Sequence, residues 1–294
     1  MPELPIEDTD RLIARALIED LGDAPDVDAD VTSRLTIDAS ARGSVAIVAR
    51  EPGVAAGLPI VWRVAARVDP SIEVMLNVAD SEAISPQQRL ATLSGPVRSL
   101  LAAERTILNF LTHLSGIATL TAQYVDAIAG TRAAVLDTRK TLPGWRRLAK
   151  YAVACGGGTN HRMSLHDAVL IKDNHLAAAG AANPDESIAD LLRRVRQALP
   201  EPLPITIEVD TVEQLAIALR GEPDVILLDN MPPAILREAV AMRDVAAPKV
   251  RLEASGGINL ATIAAVAQTG VDRISVGAIT HSAATLDLGF DWKA

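Results

Sequence analysis

From about residue 130 onward, short apolar runs that end in polar residues alternate with amphipathic stretches. Apolar runs of this length are typical of strands that are buried on both faces of a parallel sheet. Six of them follow one another, at 134–137, 168–173, 205–210, 225–230, 250–255 and 273–278. Repeated strand–helix units predict an α/β fold with a parallel sheet closed as a barrel, and a doubly wound open sheet is the second interpretation.

Helix signals lie between several of these runs. Thr211 or Asp210 is placed to cap the helix that follows the third run. Pro232 and Pro233 suit the first turn of the next helix, where a missing N–H costs nothing. Asn259 predicts the start of another helix. The spacing therefore supports helices as the connections between the strands.

The chain before about residue 115 has a different pattern. An amphipathic helix is predicted at 8–21, and shorter strand-like segments follow at 44–50 and 71–76, with Gly and Pro between them. A long helical pattern then covers 102–129, which Gly116 is placed to interrupt. We therefore expect two domains, a separate α+β domain over 1–115 and the barrel over 116–294.

Composition and charge limit the possible partners. The chain carries 49% hydrophobic and 2% aromatic residues and a net charge of −9. The window from Arg132 to Lys172 is an exception, because it holds eight basic residues and only two acidic ones. A compact basic region on an acidic protein favours a small anionic ligand. A nucleic-acid binder is disfavoured by the total charge and by the scarcity of rings for base stacking.

The remaining bulk features favour the cytoplasm. Cys155 is the single cysteine, which excludes an intrachain disulfide and fits a reducing compartment. The acidic N-terminus lacks the basic and apolar regions of a signal peptide, and no apolar stretch approaches about 18 residues. We therefore expect neither secretion nor a membrane partner.

Polar residues and glycines collect where the predicted strands end. In a parallel barrel these carboxyl ends meet at the face that carries the active site. They are Asp137, Thr138, Arg139, Lys140, Lys172, Asp173, Asn174, His175, Glu208, Asp210, Asp229, Asn230, Ser255, Gly256, Gly257 and Gly277. Cations anchor carboxylates or phosphates, and glycine turns allow backbone N–H groups to approach a phosphate. Glu208 and Asp229, as carboxylates with few histidines nearby, suit Mg²⁺ better than Zn²⁺.

Each of these residues also has a structural interpretation. In this interpretation Glu208 is a core carboxylate paired with Arg or Lys, and His161 is a core histidine with its hydrogen bonds made. Cys155 is a small buried hydrophobic residue. The glycines at 156–158 fit a simple loop. Six consecutive strand ends that all carry such groups nevertheless favour a ligand site.

Several segments resemble the quinolinate phosphoribosyltransferase family. The segment at 137–175, DTRKTLPGWRRLAKYAVACGGGTNHRMSLHDAVLIKDNH, is similar to the signature of that family. Supporting matches are ADVTS (29–33), REPGVAAGL (50–58), AERTILNFLTHLSGIAT (103–119), IEVDT (207–211), LLDNM (227–231) and EASGGI (253–258). Trp145 stands where the family has Leu or Phe.

The resemblance implies an N-terminal α/β sandwich and a C-terminal irregular parallel α/β barrel, with the last few residues packing back on the first domain. It also implies a homodimer, or a larger homo-oligomer built from dimers, as the working form. The implied substrates are quinolinate and phosphoribosyl pyrophosphate. The implied products are nicotinate mononucleotide, CO₂ and pyrophosphate, in NAD biosynthesis. The implied cofactor is Mg²⁺, with no organic cofactor.

The resemblance also implies a role for each site residue. Quinolinate would be surrounded by Arg105, Arg139, Lys140, His161, Arg162 and Lys172, and Thr138 would also bind substrate. The phosphoribosyl group would be held by Glu208, Asp229, Ser255, Gly256, Gly257, Ser275, Val276 and Gly277. Lys140, Lys172, Glu208 and Asp229 would be catalytic, and Glu208 and Asp229 would hold the metal, partly through water or substrate. The resemblance further places Arg105 in the active site of the partner subunit.

Two other functions remain open on the sequence. A nicotinate phosphoribosyltransferase would share the architecture but bind one carboxylate and release no CO₂. The six cations around the ring favour the dianion quinolinate. A non-catalytic metabolite-binding barrel is disfavoured because both Glu208 and Asp229 accompany the cations.

Overall fold

A computed structural model describes residues 2–23, 26–182 and 186–292. The helices are α1 (Ile6–Leu21), α2 (Val31–Thr36), α3 (Leu58–Val68), α4 (Val97–Ala127), α5 (Arg146–Cys155), α6 (Asp173–Ala182), α7 (Ile188–Ala198), α8 (Val212–Leu219), α9 (Pro233–Ala246), α10 (Ile263–Ala267) and α11 (Ala278–His281). The strands are β1 (Arg42–Ala49), β2 (Gly53–Val54), β3 (Glu73–Leu76), β4 (Ala83–Ile84), β5 (Arg89–Pro96), β6 (Ala134–Leu136), β7 (Val169–Ile171), β8 (Ile205–Val209), β9 (Val225–Asp229), β10 (Arg251–Ser255), β11 (Arg273–Ser275) and β12 (Leu288–Trp292).

These elements form two compact units. The antiparallel unit comprises the described residues of Met1–Ala122, Thr141–Gly157 and Ile279–Ala294. The parallel unit comprises those of Gln123–Lys140 and Gly158–Ala278. None of the helices within the described ranges is both long and apolar enough to span a membrane.

The antiparallel unit is built on a four-stranded sheet with the order β12-β1-β5-β3. β1 forms its centre, because it pairs with β5 on one side and with the last strand of the chain, β12, on the other. Its residues from Val45 to Ala49 are all buried, which reflects the apolar run predicted there. α1 confirms the amphipathic helix predicted at 8–21.

α4 is continuous, and the interruption predicted at Gly116 is wrong. Gly116 is required by packing and not by a bend. A Cβ atom at this position would lie 2.0 Å from the carbonyl oxygen of Ala284, so only glycine allows that backbone to approach the helix. The cost of one glycine, about 1 kcal/mol, is small for a buried helix of this length.

A buried polar network links three side chains of the antiparallel unit. The hydroxyl of Tyr151 donates to Asp80, which also accepts the N–H of Leu58 at 2.9 Å. Cys155 lies beside them, and burial raises the pKa of its thiol to about 11. The cysteine is therefore a buried, unreactive thiol, as the structural interpretation expected.

The parallel unit contains six parallel strands in the order β6-β11-β10-β9-β8-β7. Starting at β7, the sheet follows the order of the strands along the chain up to β11, and β6 then lies beside β11, as in a singly wound barrel. In a doubly wound sheet the strand order would instead reverse in the middle. The α/β barrel prediction is therefore confirmed. In the described residues its ring is irregular, because hydrogen bonding is interrupted between β6 and β7. A single bridge between Leu136 and Thr159 extends the sheet at that edge.

The connections also test the predicted helix signals. Thr211 caps α8, where its hydroxyl accepts the N–H of Gln214, and Pro233 opens α9. Asn259 does not begin a helix, because α10 starts only at Ile263. Its side chain instead accepts the N–H of Ala261 at 3.0 Å and holds a turn before the helix.

Candidate active site

One face of the parallel sheet is apolar and the other is polar. Successive side chains of a strand point to opposite faces. The apolar face carries buried side chains such as Ile207, Leu228, Leu252 and Ile274, and it suits packing against helices. The opposite face is called the inner face here. Its alternate positions on β8 to β11 include acids, serines and two arginines, Arg251 and Arg273.

The strand register places the inner-face residues in two rows. The first row contains Glu208, Leu227, Glu253 and Arg273 on successive strands. The second row lies two residues further toward the carboxyl ends and contains Asp229 and Ser255, which pair directly, and Ser275. Neighbouring strands are about 4.8 Å apart, so both rows lie within reach of one small ligand.

Lys172 and Glu208 form an ion pair across the ends of β7 and β8. The lysine side chain is 44% exposed and the glutamate side chain is 11% exposed, so the pair lies at the border between the interior and solvent. Without a ligand, the lysine neutralises the acid. An anion that engages the lysine would release the carboxylate for another cation.

Further cations lie in the segments after β6 and before β7. The hydroxyl of Thr138 accepts the N–H of Lys140 at 3.0 Å and shapes the turn after β6. Arg162 donates to the carbonyl of Ala168 at 3.0 Å. Burial lowers the pKa of Arg162, and its neighbour Arg139 lowers it further. Arg139 and Arg162 thus bring two positive charges close together, which favours the binding of an anion.

His161 makes several contacts within the parallel unit. Its N–H donates to Asp137 Oδ1 at 2.9 Å, and its ring Nδ1 accepts the N–H of Arg162 at 2.7 Å. Its Nε2 lies 3.3 Å from Glu253 Oε1. The sequence predicts His161 as a substrate ligand or as a core histidine, and Glu253 was not among the predicted site residues.

The glycine turn after β10 is locked to the end of β9. Gly256 and Gly257 have φ of 93° and 61°, in the left-handed region. A Cβ atom on Gly256 would lie 2.2 Å from the side-chain oxygen of Asn230. The N–H of Asn230 donates to Ser255 O at 2.9 Å, and its amide donates to Asp229 Oδ2 at 2.6 Å.

Asn230 was predicted to lie at this edge of the sheet, but no role was predicted for it. It joins the predicted metal carboxylate, Asp229, to the predicted phosphate turn. Its φ of 53° is a conformation that asparagine tolerates better than most residues. The signal in the sequence was its place directly after a strand that ends in an acid.

The remaining predicted residues lie as follows. Ser275 and Val276 are buried at the end of β11, and the N–H of Val276 donates to Leu136 O at 2.9 Å. Gly277 follows them and precedes α11. Arg105 lies on α4 in the antiparallel unit, with an exposed side chain. Within the described residues it forms no ion pair, although its charge lowers the pKa of its neighbour Glu104 against the larger effect of burial, which raises it.

The described residues contain no cluster of three or more His, Cys, Asp and Glu side chains suited to a metal ion. Zn²⁺ sites and calcium cages need such a set. Mg²⁺ does not, because it binds through one or two carboxylates together with substrate phosphates. The donor chemistry of Glu208 and Asp229, on the inner face of adjacent strands, fits Mg²⁺.

The chain matches known sequences and structures over almost its whole length. The family described as quinolinate phosphoribosyl transferase, N-terminal domain, matches residues 30–115, and the C-terminal domain matches 117–291. The nicotinate-nucleotide pyrophosphorylase (carboxylating) of Mycobacterium leprae is 48% identical, over 95% of each chain. A probable enzyme of the same name from Bacillus subtilis is 37% identical, over 96% of this chain and 92% of the relative.

The fold agrees with these matches. The structure of the nicotinate-nucleotide pyrophosphorylase from Francisella tularensis superposes with a TM-score of 0.90, at 36% identity, and covers 99% of this chain and 98% of that chain. The resemblance seen in the sequence is confirmed: this chain belongs to the quinolinate phosphoribosyltransferase family.

Proposed function

We propose that this enzyme transfers the phosphoribosyl group of phosphoribosyl pyrophosphate to quinolinate and decarboxylates the product. The products are nicotinate mononucleotide, CO₂ and pyrophosphate, and the reaction serves NAD biosynthesis. One observation carries the proposal beyond the family match. The ion pair of Lys172 and Glu208 lies on the same inner face as Asp229 and Ser255, next to a phosphate-type glycine turn.

Quinolinate, a pyridine with two adjacent carboxylates, binds among the cationic side chains of the site. Arg139 and Arg162 grip the carboxylates, since guanidinium groups bind carboxylates in a bidentate manner. Lys140 and Lys172 supply the remaining positive charge. His161 and Thr138 border the same space, and Thr138 shapes the turn that presents Lys140.

The phosphoribosyl group binds at the second row of the inner face. Its 5-phosphate is held by backbone N–H groups of the turn at Ser255, Gly256 and Gly257, and by the segment of Ser275, Val276 and Gly277. Asp229 and Glu208 face the ribose ring. As the glycosidic bond to pyrophosphate breaks, positive charge develops on the sugar, and the carboxylate of Glu208 stabilises it.

Mg²⁺ is the proposed cofactor, and no organic cofactor is needed. Glu208 and Asp229 would hold it together with oxygens of water or substrate, and when bound it would supply positive charge for the pyrophosphate oxygens. Glu208 becomes available for this role once quinolinate engages Lys172. When the substrates bind, Lys172 would thus pair with quinolinate and Glu208 with the metal, in place of their ion pair with each other.

The chemistry needs only the substrates and these side chains. The lone pair of the pyridine nitrogen forms a bond to the anomeric carbon, and the electrons of the broken C–O bond leave with pyrophosphate. The ring nitrogen is now cationic. It stabilises the electron pair left on the adjacent carbon when CO₂ departs, and a proton then adds to that carbon. The ring itself serves as the electron sink.

The substrate assignment predicts a strong preference for quinolinate over nicotinate. Incubation with quinolinate, phosphoribosyl pyrophosphate and Mg²⁺ should release CO₂ and nicotinate mononucleotide. Nicotinate should react with a kcat/KM lower by about 10²-fold or more, since cations built for the second carboxylate stay unpaired. Comparable turnover of nicotinate would instead identify a nicotinate phosphoribosyltransferase. Absence of turnover with either substrate would favour a binding protein.

The contacts of Asn230 predict a second result. Asn230→Asp places a carboxylate against Asp229, and kcat/KM for phosphoribosyl pyrophosphate should fall at least tenfold, because a hydrogen bond to a charged group is worth about 1.5–3 kcal/mol. Asn230→Gly retains the left-handed backbone and removes only the amide, so it should lose most of the same activity. Normal kinetics for Asn230→Gly would show that the amide plays no part in the site.

The working form is proposed to be a homodimer, or a larger assembly of dimers, in the cytoplasm. The free, buried Cys155 supports a reducing compartment. The proposed site in each barrel is completed by Arg105 of the other subunit. Arg105 belongs to the antiparallel unit, whereas the other proposed ligands in the described residues belong to the parallel unit.

Mixing two inactive variants tests the shared site. Arg105→Ala and Lys172→Ala subunits, allowed to exchange, form mixed dimers with one doubly damaged site and one intact site. Random exchange of equal amounts makes about half of the dimers mixed, so roughly a quarter of wild-type activity should return. The extent of exchange is measured by native mass spectrometry. Full exchange without recovered activity would place the whole site within one chain.

A further inference from the structure

Glu253 is an acid in the interior of the parallel sheet that the proposed reaction does not use. It occupies the middle of β10, on the inner face, in the same row as Glu208 and one strand beyond Leu227. Its side chain is 0% exposed. Burying a carboxylate is costly unless nearby groups compensate, so its surroundings should indicate what it does.

Two groups near Glu253 are a ring nitrogen of His161 and the guanidinium of Arg273. His161 Nε2 lies 3.3 Å from Oε1, while neither carboxylate oxygen receives an aligned hydrogen bond in the described part of the chain. Arg273 pairs with Glu253 in register on β11, and burial lowers the pKa of this arginine. Within the described ranges, the imidazole Nε2 of His161 is therefore the nitrogen placed to serve this carboxylate.

The other contacts of His161 fix where its proton lies. A main-chain N–H can only donate, and that of Arg162 points at Nδ1 at 2.7 Å, so Nδ1 is the unprotonated acceptor. The proton of the neutral ring is then on Nε2, which faces Glu253. The N–H of His161 is tied to Asp137, a fully buried acid, so the backbone is fixed as well.

We propose that Glu253 is a positioning residue that holds His161 as the neutral Nε2–H tautomer. His161 then connects Glu253, on the inner face of the sheet, to the main-chain N–H of Arg162. It does not donate a hydrogen bond to a substrate carboxylate, so binding of the dianion falls to the arginines and lysines. The inference rests on the proposed function only in its kinetic consequence, because the tautomer is a property of the free protein.

Nitrogen NMR of the protein labelled with ¹⁵N-histidine tests the tautomer directly. The chain has five histidines, and the signals of His161 are identified by their loss in His161→Gln. At pH 7 we expect an unprotonated shift for Nδ1 and a protonated shift for Nε2, both before and after quinolinate is added. A proton on Nδ1, or on both nitrogens, would overturn the proposal whether or not the enzyme turns over quinolinate.

Two amide variants of His161 test the direction of the contact. Glutamine places its NH₂ near the position of Nε2 and is able to donate to Glu253, whereas asparagine places it near Nδ1 and is too short to do so. We expect His161→Gln to retain at least about fivefold more kcat/KM for quinolinate than His161→Asn. The opposite order would show that His161 serves the substrate through Nδ1.

Replacement of the acid completes the test. Glu253→Gln should raise KM for quinolinate and lower kcat/KM about tenfold, as misplacement of binding groups does, while kcat at saturation changes less. Its melting temperature should not fall, because a buried charge is removed. Glu238→Gln, at an exposed position of α9, is the matched control and should behave as wild type. A Glu253→Gln enzyme with kcat/KM within twofold of wild type would refute the positioning role.

Discussion

Replacing Asp272 with alanine is expected to lower the free energy of unfolding by about 3–5 kcal/mol, the usual cost of breaking a buried ion pair. Its partner Arg243, on α9, is only 2% exposed and donates to Asp272 Oδ2 at 2.6 Å. The same oxygen accepts the N–H of Leu252 on β10 at 2.8 Å. The carboxylate therefore ties a helix to the sheet, and its loss leaves a buried guanidinium without its main counter-charge.

The effect should depend on pH in a defined direction. Burial alone would raise the pKa of Asp272, but the hydrogen bonds from Leu252 and Arg243 outweigh it and lower the pKa. The stabilisation is therefore complete above the unfolded pKa, about 3.9, and is lost as the pH falls through the lower folded value. Urea unfolding should show a constant gap between wild type and variant above about pH 5, which narrows in more acidic buffer.

Two further variants separate the ion pair from general damage. Asp244→Ala removes the exposed partner of the same arginine and should cost less than about 1 kcal/mol. Arg243→Met in the Asp272→Ala background removes the orphaned charge and should recover part of the loss. A loss below about 1 kcal/mol for Asp272→Ala would mean that solvent reaches Arg243 and compensates it.

Replacing Lys172 with methionine is expected to lower kcat/KM for quinolinate by roughly 10- to 150-fold, which corresponds to a charged hydrogen bond of about 1.5–3 kcal/mol. Methionine keeps the apolar stem and removes the ammonium group. Two functions are lost together, the contact with a substrate carboxylate and the neutralisation of Glu208 in the free enzyme.

Stability should change little in this variant. The side chain of Lys172 is 44% exposed, and ion pairs at such positions contribute at most about 1 kcal/mol. Lys249→Met, at an exposed position of the same unit, provides the control and should leave both activity and stability unchanged. If Lys172→Met unfolds easily while its folded fraction works normally, the lysine is structural and the proposed role is wrong.

Most of the parallel unit was predictable because strand and helix signals reinforce each other there. All six apolar runs form strands, and their polar ends mark the positions of Lys172, Glu208 and Asp229. Alternation along a strand is a local property, so the sequence also contains the information that Glu208 and Asp229 face the same side.

The failures have one physical cause, which is tertiary contact. Gly116 has the low helix propensity that ordinarily marks an interruption, but Ala284 approaches it from far along the chain and requires the missing Cβ. Asn259 has the chemistry of a helix cap, yet its side chain stabilises a preceding turn.

The position of Glu253 and the role of Asn230 were missed for a related reason. Each stands inside a motif whose neighbours offer more familiar chemistry, Ser255 and Asp229. An acid in the middle of a buried strand is the signal that would have identified Glu253, because only a specific partner makes such a position tolerable.

The pairing of β1 with β12 has a consequence for how the molecule is made. β1 cannot complete its hydrogen bonds on one side until the last strand has been synthesised. At about 5–20 residues per second, a nascent chain therefore spends many seconds with an apolar strand edge exposed, which is a template for aggregation. The antiparallel sheet therefore cannot be completed until residues 288–292 have been synthesised, and a chain cut before Leu288 should show a lower soluble yield more than a lower activity per folded molecule.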